Sequence, residues 1–561
     1  MRFKKFIPII LVIISAALLR FPFLSREFVL EEALNVKDAI AISQKGYPVV
    51  YMGEQAPQSI HLDRTPGLFF FEAISFKLLG VSEESARLVP LLFSFGQLSL
   101  IYYFSLKFFK NRHLSLFSAI LFATNPYIIQ NSTHIHYDGA VFAFFSTWYL
   151  FLACQKIISH QNKWQDHIKL AILFFFALFV KYDPTLIMLF VVTIFSAIYW
   201  RPFLKKLFLS SFLSASLFLG SFYLYNNAFN HPEAFFQPFL WIFEVFSQKL
   251  TASSASISQF LWSDNYYLLI RFLSWLSIPL IFLTAYAIFW IGKEKTLKKD
   301  PRIVFLCLWL FSFCFVYLAF GWSGDFPRYF APAIPPLFLI IAITLKGNLA
   351  KSKKVFTKAA IMAFLTALSI FLFLAYRNWL FLDRITGWIP HLQIPFFAIT
   401  IIGILAIIIT HSNKNTRITL TLTLIFLYFF QIIAQNIHDL KSPYSLTNFY
   451  GYGGYREAGQ FLKNQFHQNN LILTFDPVAY YWQGEYVDFN LFGTLHSGVN
   501  FSLITDLLSQ GSFAAIALPD IYLKELENAS STYKLDYQTA IKTRFKNHVN
   551  FGGVKGIEVY Y

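Results

Sequence analysis

MRFKKFIPIILVIISAALLRFPFLSREFVLEEALNVKDAI, Met1 to Ile40, decides how the rest of the chain is read. An apolar run long enough to cross a bilayer ends at Leu24, and the chain then turns acidic, with Glu27, Glu31, Glu32 and Asp38. No small-x-small cleavage site precedes a hydrophilic start, so the run is expected to stay as a first membrane helix rather than leave as a signal peptide. Acids at the lip of a membrane need a reason here because they are scarce: Asp and Glu total 30, against 46 Lys and Arg.

The same pattern extends outward through all 561 residues, which are 56% hydrophobic and 14% charged. Soluble chains carry about a quarter charged residues, so this is a polytopic membrane protein by composition. The net charge of +16 falls in short clusters between apolar runs, the mark of cytoplasmic loops rather than of a nucleic-acid surface. Cys154, Cys307 and Cys314 all lie in apolar runs without CxxC spacing, which supports neither a disulfide framework nor a zinc site.

A hydrocarbon core needs roughly 20 apolar helical residues. That rule places spans near 6–24, 88–109, 113–130, 138–156, 168–182, 184–200, 206–225, 269–291, 303–320, 329–346, 358–376, 392–411 and 418–436. Thirteen crossings would put the termini on opposite sides. With the N-terminus cytoplasmic, every second loop is basic: Lys107, Lys110 and Arg112; Lys156, Lys163 and Lys169; Arg201, Lys205 and Lys206. The pattern continues with Lys293 to Arg302, Lys346 to Lys358, and Lys414 with Arg417. The outer face then receives the loop 25–87, the loop 226–268 and the tail from about 440. In that tail YREAGQFLKNQF reads as an amphipathic helix, and NLILTFDP, AAIALPD and GIEVYY read as strands. The expected division is a membrane domain, 1–437, and a small extracytoplasmic α/β domain, 438–561.

The outer segments gather charge. HLDRTPGLFFF carries His61, Asp63 and Arg64; HIHYDGAVFAF carries His134, His136 and Asp138; FVKYDPT carries Lys181 and Asp183; SGDFPRYFAP carries Asp325 and Arg328. Acids near a helix start offset its dipole, and rim residues such as Tyr266, Tyr267, Trp322 and Trp388 suit an interfacial belt. Arg87 reads as a snorkelling anchor of the second span. Ionisable side chains at membrane depth are nevertheless costly and usually functional. Acids and cations on one side fit the transfer of a sugar from a lipid phosphate: a carboxylate takes the acceptor proton, and Arg or Lys steadies the departing phosphate. Phosphate leaves without protonation, so no second carboxyl is needed as acid, unlike glycoside hydrolysis. Nucleotide sugars are cytoplasmic, so an outward site would draw on a sugar carried across by a polyprenyl lipid.

In order, LEEALNVKDAIAISQKGYP, DRTPGLFFFEAISFKLLG, SEESARLVPLLFSF and GDFPRYFAPAIPP resemble the C-type (GT-C) membrane glycosyltransferases, in particular the protein O-mannosyltransferase and lipid A aminoarabinose transferase group. The resemblance covers residues 1–200 by motif and the rest by hydropathy. It implies a GT-C type fold of about thirteen membrane helices and a polyprenyl-phosphate sugar donor. It also implies a protein, lipid or glycan acceptor, and inversion at the sugar. By position, Glu31 matches the family's catalytic Asp, Glu32 the Glu that follows, and Asp138 the second outer acid. Arg64 falls near the cation that meets donor phosphate, with Lys181 and Arg328 as further phosphate ligands. Glu31 departs from the family's Asp, which leaves the base open between Glu31 and Glu32. His134, His136 and Asp138 offer a site for a divalent cation. Two other readings compete: a flippase for lipid-linked glycans and a non-catalytic membrane subunit.

Overall fold

Runs rich in Leu, Ile and Phe with few charges fold as helices that satisfy their own backbone hydrogen bonds, as a bilayer demands. The computed structural model describes residues 7–50, 59–60, 65–240, 277–320, 327–349, 353–376, 414–441, 453–489, 507–519, 523, 541, 543–552 and 556–561. Ahead of the middle of the chain come α1 (Ile7–Leu24), α2 (Leu30–Lys45), α3 (Gly67–Leu79), α4 (Glu83–Phe109), α5 (Arg112–Thr124) and α6 (Pro126–Asn131). They are followed by α7 (Ala140–Ile158), α8 (Trp164–Val180), α9 (Asp183–Tyr199) and α10 (Pro202–Ala228). Beyond these lie α11 (Ile278–Lys293), α12 (Pro301–Phe320), α13 (Ile334–Leu349), α14 (Lys353–Tyr376) and α15 (Lys414–Lys441).

Among the described residues, five helices are long and apolar enough to cross a membrane: α1, α4, α7, α10 and the Ile418–Ile437 part of α15. Shorter apolar helices accompany them, including α9 and the Pro301–Tyr317 part of α12. Their outward sides expose large apolar side chains, among them Leu18, Leu186, Phe212, Leu224 and Phe311, as lipid-facing helices do. The chain is an integral membrane protein. Inside, Phe104 stacks on Phe151 at 4.8 Å and Phe151 meets Trp309 edge-on at 5.3 Å, so aromatic rings fill the interior in offset and T-shaped pairs.

The expected segment 113–130 is not one helix. Asn125 ends α5, and its side chain accepts from the N–H groups of Tyr127 and Ile128 at 3.0 and 3.4 Å while Pro126 takes the first helical position of α6. The expected helix at 329–346 likewise begins as a 3-10 turn, Pro327–Ala333, before α13. The expected segment 392–411 lies outside the described residues.

Val49–Val50 (β1) pairs antiparallel with Ser59–Ile60 (β2). The C-terminal sheet is built from β3 (Ile472–Thr474), β4 (Tyr486–Asp488), β5 (Ala515–Pro519), β6 (His548–Phe551) and β7 (Ile557–Tyr560), in the order β4-β3-β5-β7-β6. β3 pairs in parallel with β4 and β5, whereas β7 runs antiparallel to β5 and β6. The helices α16 (Tyr455–Gln465) and α17 (Asp476–Trp482) add Leu462, Val478 and Trp482 to the core of this sheet. Val29, immediately before α2, belongs to that same core. The tail therefore rests on the acid-bearing stretch and does not hang from α15 alone.

Candidate functional site

α2 is the wall on which the site is built. Glu32, one turn in, reaches back to the Val29 N–H at 3.3 Å, satisfying a donor the helix start leaves open. Its carboxylate then grips the rest of the protein. Arg87 of α4 donates to it from Nη2 at 2.6 Å and from Nε at 3.2 Å. The Ile135 N–H donates at 3.2 Å, and His134 Nδ1 lies 2.9 Å away. One turn on, Asn35 donates to the Ile135 carbonyl at 2.8 Å. Two residues of α2 thus pin the loop Ser132–Gly139 from above.

Burial alone would raise the Glu32 pKa, but Arg87 and then His134 outweigh it and hold the carboxyl well below the usual carboxylate range. Arg87 is no snorkelling anchor. It is 2% exposed, and beyond Glu32 it donates to the carbonyls of Leu24, Arg26 and Glu27. Its guanidinium fork fixes the turn between α1 and α2, a geometry that lysine cannot copy.

The same loop ends at Asp138. Lys181, in the turn between α8 and α9, pairs with Asp138 Oδ1 and lies 3.9 Å from Asp183. His136 Nδ1 accepts the Asp138 N–H at 3.1 Å and lies 3.2 Å from Asp138 Oδ2. The Lys181 ammonium sits 4.6 Å from each of the rings of Tyr137 and Tyr329. The Arg328 guanidinium lies 5.8 Å from that Tyr329 ring. Burial would lower the Lys181 pKa, yet Asp138 and then Asp183 more than reverse this, so the ammonium stays charged.

Packing explains why this turn lies here. A Cβ on Gly67 would come within 2.4 Å of the Phe179 carbonyl, so only glycine lets α3 start against the end of α8. The neighbouring Thr65 hydroxyl donates to the Val180 carbonyl at 2.8 Å.

The structure therefore brings together Glu32, His134, His136, Asp138, Lys181 and Arg328, drawn from α2, the Ser132–Gly139 loop, the α8–α9 turn and the turn before α13. Glu31 takes its backbone place in the first turn of α2, but its side chain lies outside the described residues, as do His61, Asp63, Arg64 and Asp325 entirely. Tyr266, Tyr267, Trp322 and Trp388 lie outside them too. The two histidines part company: their rings stack 5.9 Å apart, one turned to Glu32 and the other to Asp138. Among the described residues no group of three or more His, Cys, Asp or Glu could hold a metal ion, so His134, His136 and Asp138 do not form the cation site their spacing offered.

Sequence reasoning missed Glu72. This α3 side chain is fully buried, and among the described residues neither of its oxygens has a hydrogen-bond partner. Burial, then Glu32 and Asp38, push its pKa well above the usual carboxylate range, favouring the protonated acid. An acid within an apolar helix run was the available signal.

Residues 63–225 match the family model described as dolichyl-phosphate-mannose-protein mannosyltransferase. The match takes in Arg87, Asp138 and Lys181. No curated protein matches the chain. Among solved structures, ArnT from Cupriavidus metallidurans bound to undecaprenyl phosphate superposes with a TM-score of 0.60 at 13% identity, covering 98% of this chain and 97% of that one. Its apo form gives the same TM-score at 12% identity over the same shares. The oligosaccharyltransferase AglB from Archaeoglobus fulgidus aligns more loosely, at TM-score 0.48 and 12% identity over 99% of this chain and 74% of that one. The resemblance to GT-C membrane glycosyltransferases drawn from the order of sequence elements is borne out by the family match and by the shared fold.

Proposed function

We propose that the chain is a glycosyltransferase that moves a sugar from a polyprenyl-phosphate donor to an acceptor hydroxyl on the outer face of the cytoplasmic membrane. The observation that carries this reading is the pairing of Asp138 with Lys181, whose ammonium shares the Tyr329 ring with Arg328, in a chain with the fold of ArnT, whose structure holds undecaprenyl phosphate. Basic loops support about thirteen crossings with a cytoplasmic N-terminus and the C-terminal sheet outside.

A carboxylate takes the proton of the acceptor hydroxyl as its oxygen attacks the anomeric carbon. The bond from that carbon to the phosphate oxygen breaks, its electron pair leaves with the phosphate, and the sugar is inverted. Glu32 is poorly suited to be the base, because Arg87, two backbone N–H groups and His134 already occupy its oxygens and keep its basicity low. We assign the base to Glu31. Lys181, kept charged by Asp138, stabilises the leaving phosphate together with Arg328 and Arg64. Asp138 orients Lys181 between the Tyr137 and Tyr329 rings.

The test is sugar transfer from labelled polyprenyl-phosphate donors by purified protein in liposomes. Glu31→Gln, Asp138→Asn and Lys181→Met should each lower turnover by about 100-fold or more, as expected for groups acting on developing charge. Full activity in all three would remove the assigned chemistry, and translocation of the donor without transfer would favour a flippase.

A further inference from the structure

The C-terminal tail is fastened to α2 and to the segments flanking it at three places, each joining residues more than 370 positions apart. Glu27, just before α2, accepts the Gly454 and Arg456 N–H groups at 3.1 Å each, which caps the start of α16. Arg456 in turn donates to Glu83 at 2.7 Å and to the Ser25 carbonyl at 2.9 Å. The Tyr481 hydroxyl accepts the Phe28 N–H at 3.0 Å and donates to Glu83 at 2.9 Å. One turn beyond Glu32, Lys37 pairs with Asp476 and Tyr486 of the tail, where Asp476 is 1% exposed. Phe28 meets the Tyr480 ring edge-on at 4.9 Å, and Val29 is buried in the tail's core.

α2 is thus held from two sides. Glu32 and Asn35 tie it to α4 and the Ser132–Gly139 loop, while Glu27, Phe28, Val29 and Lys37 tie it to the tail. A linker would not produce this, since the Asp476 carboxylate is buried against a half-buried Lys37, which is costly unless the geometry is kept. We infer that the tail is a positioning element for the reaction: its grip on α2 sets where the first turn of that helix, and with it Glu31, stands relative to Asp138 and Lys181. This rests on the glycosyltransferase reading. Lys37, Asp476, Glu83 and Arg456 are positioning residues, since none of them has to touch substrate for this to hold.

The consequence is a specific kinetic signature. Donor binding depends on cations outside the junction, whereas turnover depends on how the base-bearing helix is placed. Loosening the grip should lower kcat and leave donor KM nearly unchanged, because misplacement by about 1 Å costs up to about 100-fold in rate.

The test variant is Lys37→Met with Asp476→Asn, which removes both charges and leaves neither orphaned. A second is Arg456→Lys, which keeps the charge but loses the bridge to two acceptors. Spin labels at Gln44→Cys and Asn464→Cys, both exposed, report the distance from α2 to the tail. In otherwise wild-type protein the inference expects one narrow distance. In the Lys37/Asp476 double variant it expects a broadened distribution, kcat about 10- to 100-fold lower and donor KM within about twofold. Arg456→Lys should fall between the two. Unchanged kcat with a broadened distance, or an unchanged distance with unchanged kcat, overturns the inference. So does an equal loss in kcat and gain in KM. Absence of transfer in the wild-type protein would instead count against the glycosyltransferase reading, which separates the two failures.

Discussion

Arg87→Met is the perturbation whose size the structure fixes best. Arg87 and Glu32 are 3% and 2% exposed in their side chains, and they meet through two hydrogen bonds of 2.6 and 3.2 Å. Removing the guanidinium leaves a buried carboxylate with, among the described residues, His134 and two backbone N–H groups, and strips donors from the carbonyls of Leu24, Arg26 and Glu27. Breaking one side of such a pair costs about 3–5 kcal/mol, because the surviving charge has lost its compensation. The double variant Arg87→Met with Glu32→Gln removes the orphaned charge and should recover more than half of that loss. Denaturant and thermal unfolding of the purified protein in detergent, read by tryptophan fluorescence, measure both variants. A single variant within about 0.5 kcal/mol of wild type would refute the reasoning. So would a double variant no more stable than the single one.

Acid should destabilise the protein through the same pair. The folded Glu32 pKa is held below its ordinary 4.5, so its contribution is full above that pH and is lost as pH falls through the lowered folded value. The wild-type slope below pH 5 should therefore exceed that of the double variant. Glu72 acts with the opposite sign. Its folded pKa is raised, so stability is lost as pH rises from 4.5 toward the folded value, and Glu72→Gln should stabilise at pH 8 yet change little at pH 4.5. A destabilised Glu72→Gln at both values would show that the carboxyl has an ionic partner. Gly67→Ala should cost about 1–3 kcal/mol, since its Cβ meets rigid backbone at 2.4 Å, and a melting curve equal to wild type would contradict the close approach of α3 to α8.

The helices were legible because membrane helices announce themselves through unbroken apolar runs, from Ile7–Leu24 to Lys414–Lys441. The break at Asn125-Pro126 was written in the sequence as a cap followed by a first-turn proline, but the apolar residues on either side hid it within one run. Asp138 and Lys181 were each marked by their position at a helix end, yet their partnership was not, because it spans two helices. Glu32 and Arg87 lie 55 residues apart, and Lys37 and Asp476 lie 439 apart. Nothing local encodes such pairs, since ion pairs across a fold are set by packing that sequence periodicity does not describe. The tail's helix followed from its amphipathic spacing and three of its strands from short apolar runs, but its seat on α2 rests on side chains that look like ordinary surface charges.

The most direct measurement is a structure of the protein with polyprenyl phosphate bound. The account predicts the phosphate beneath α2, with Lys181 Nζ about 3 Å from a phosphate oxygen and Arg328 on the same group. A phosphate seated at the opposite ends of the helices, among Lys156, Lys206 and Arg302, would contradict it.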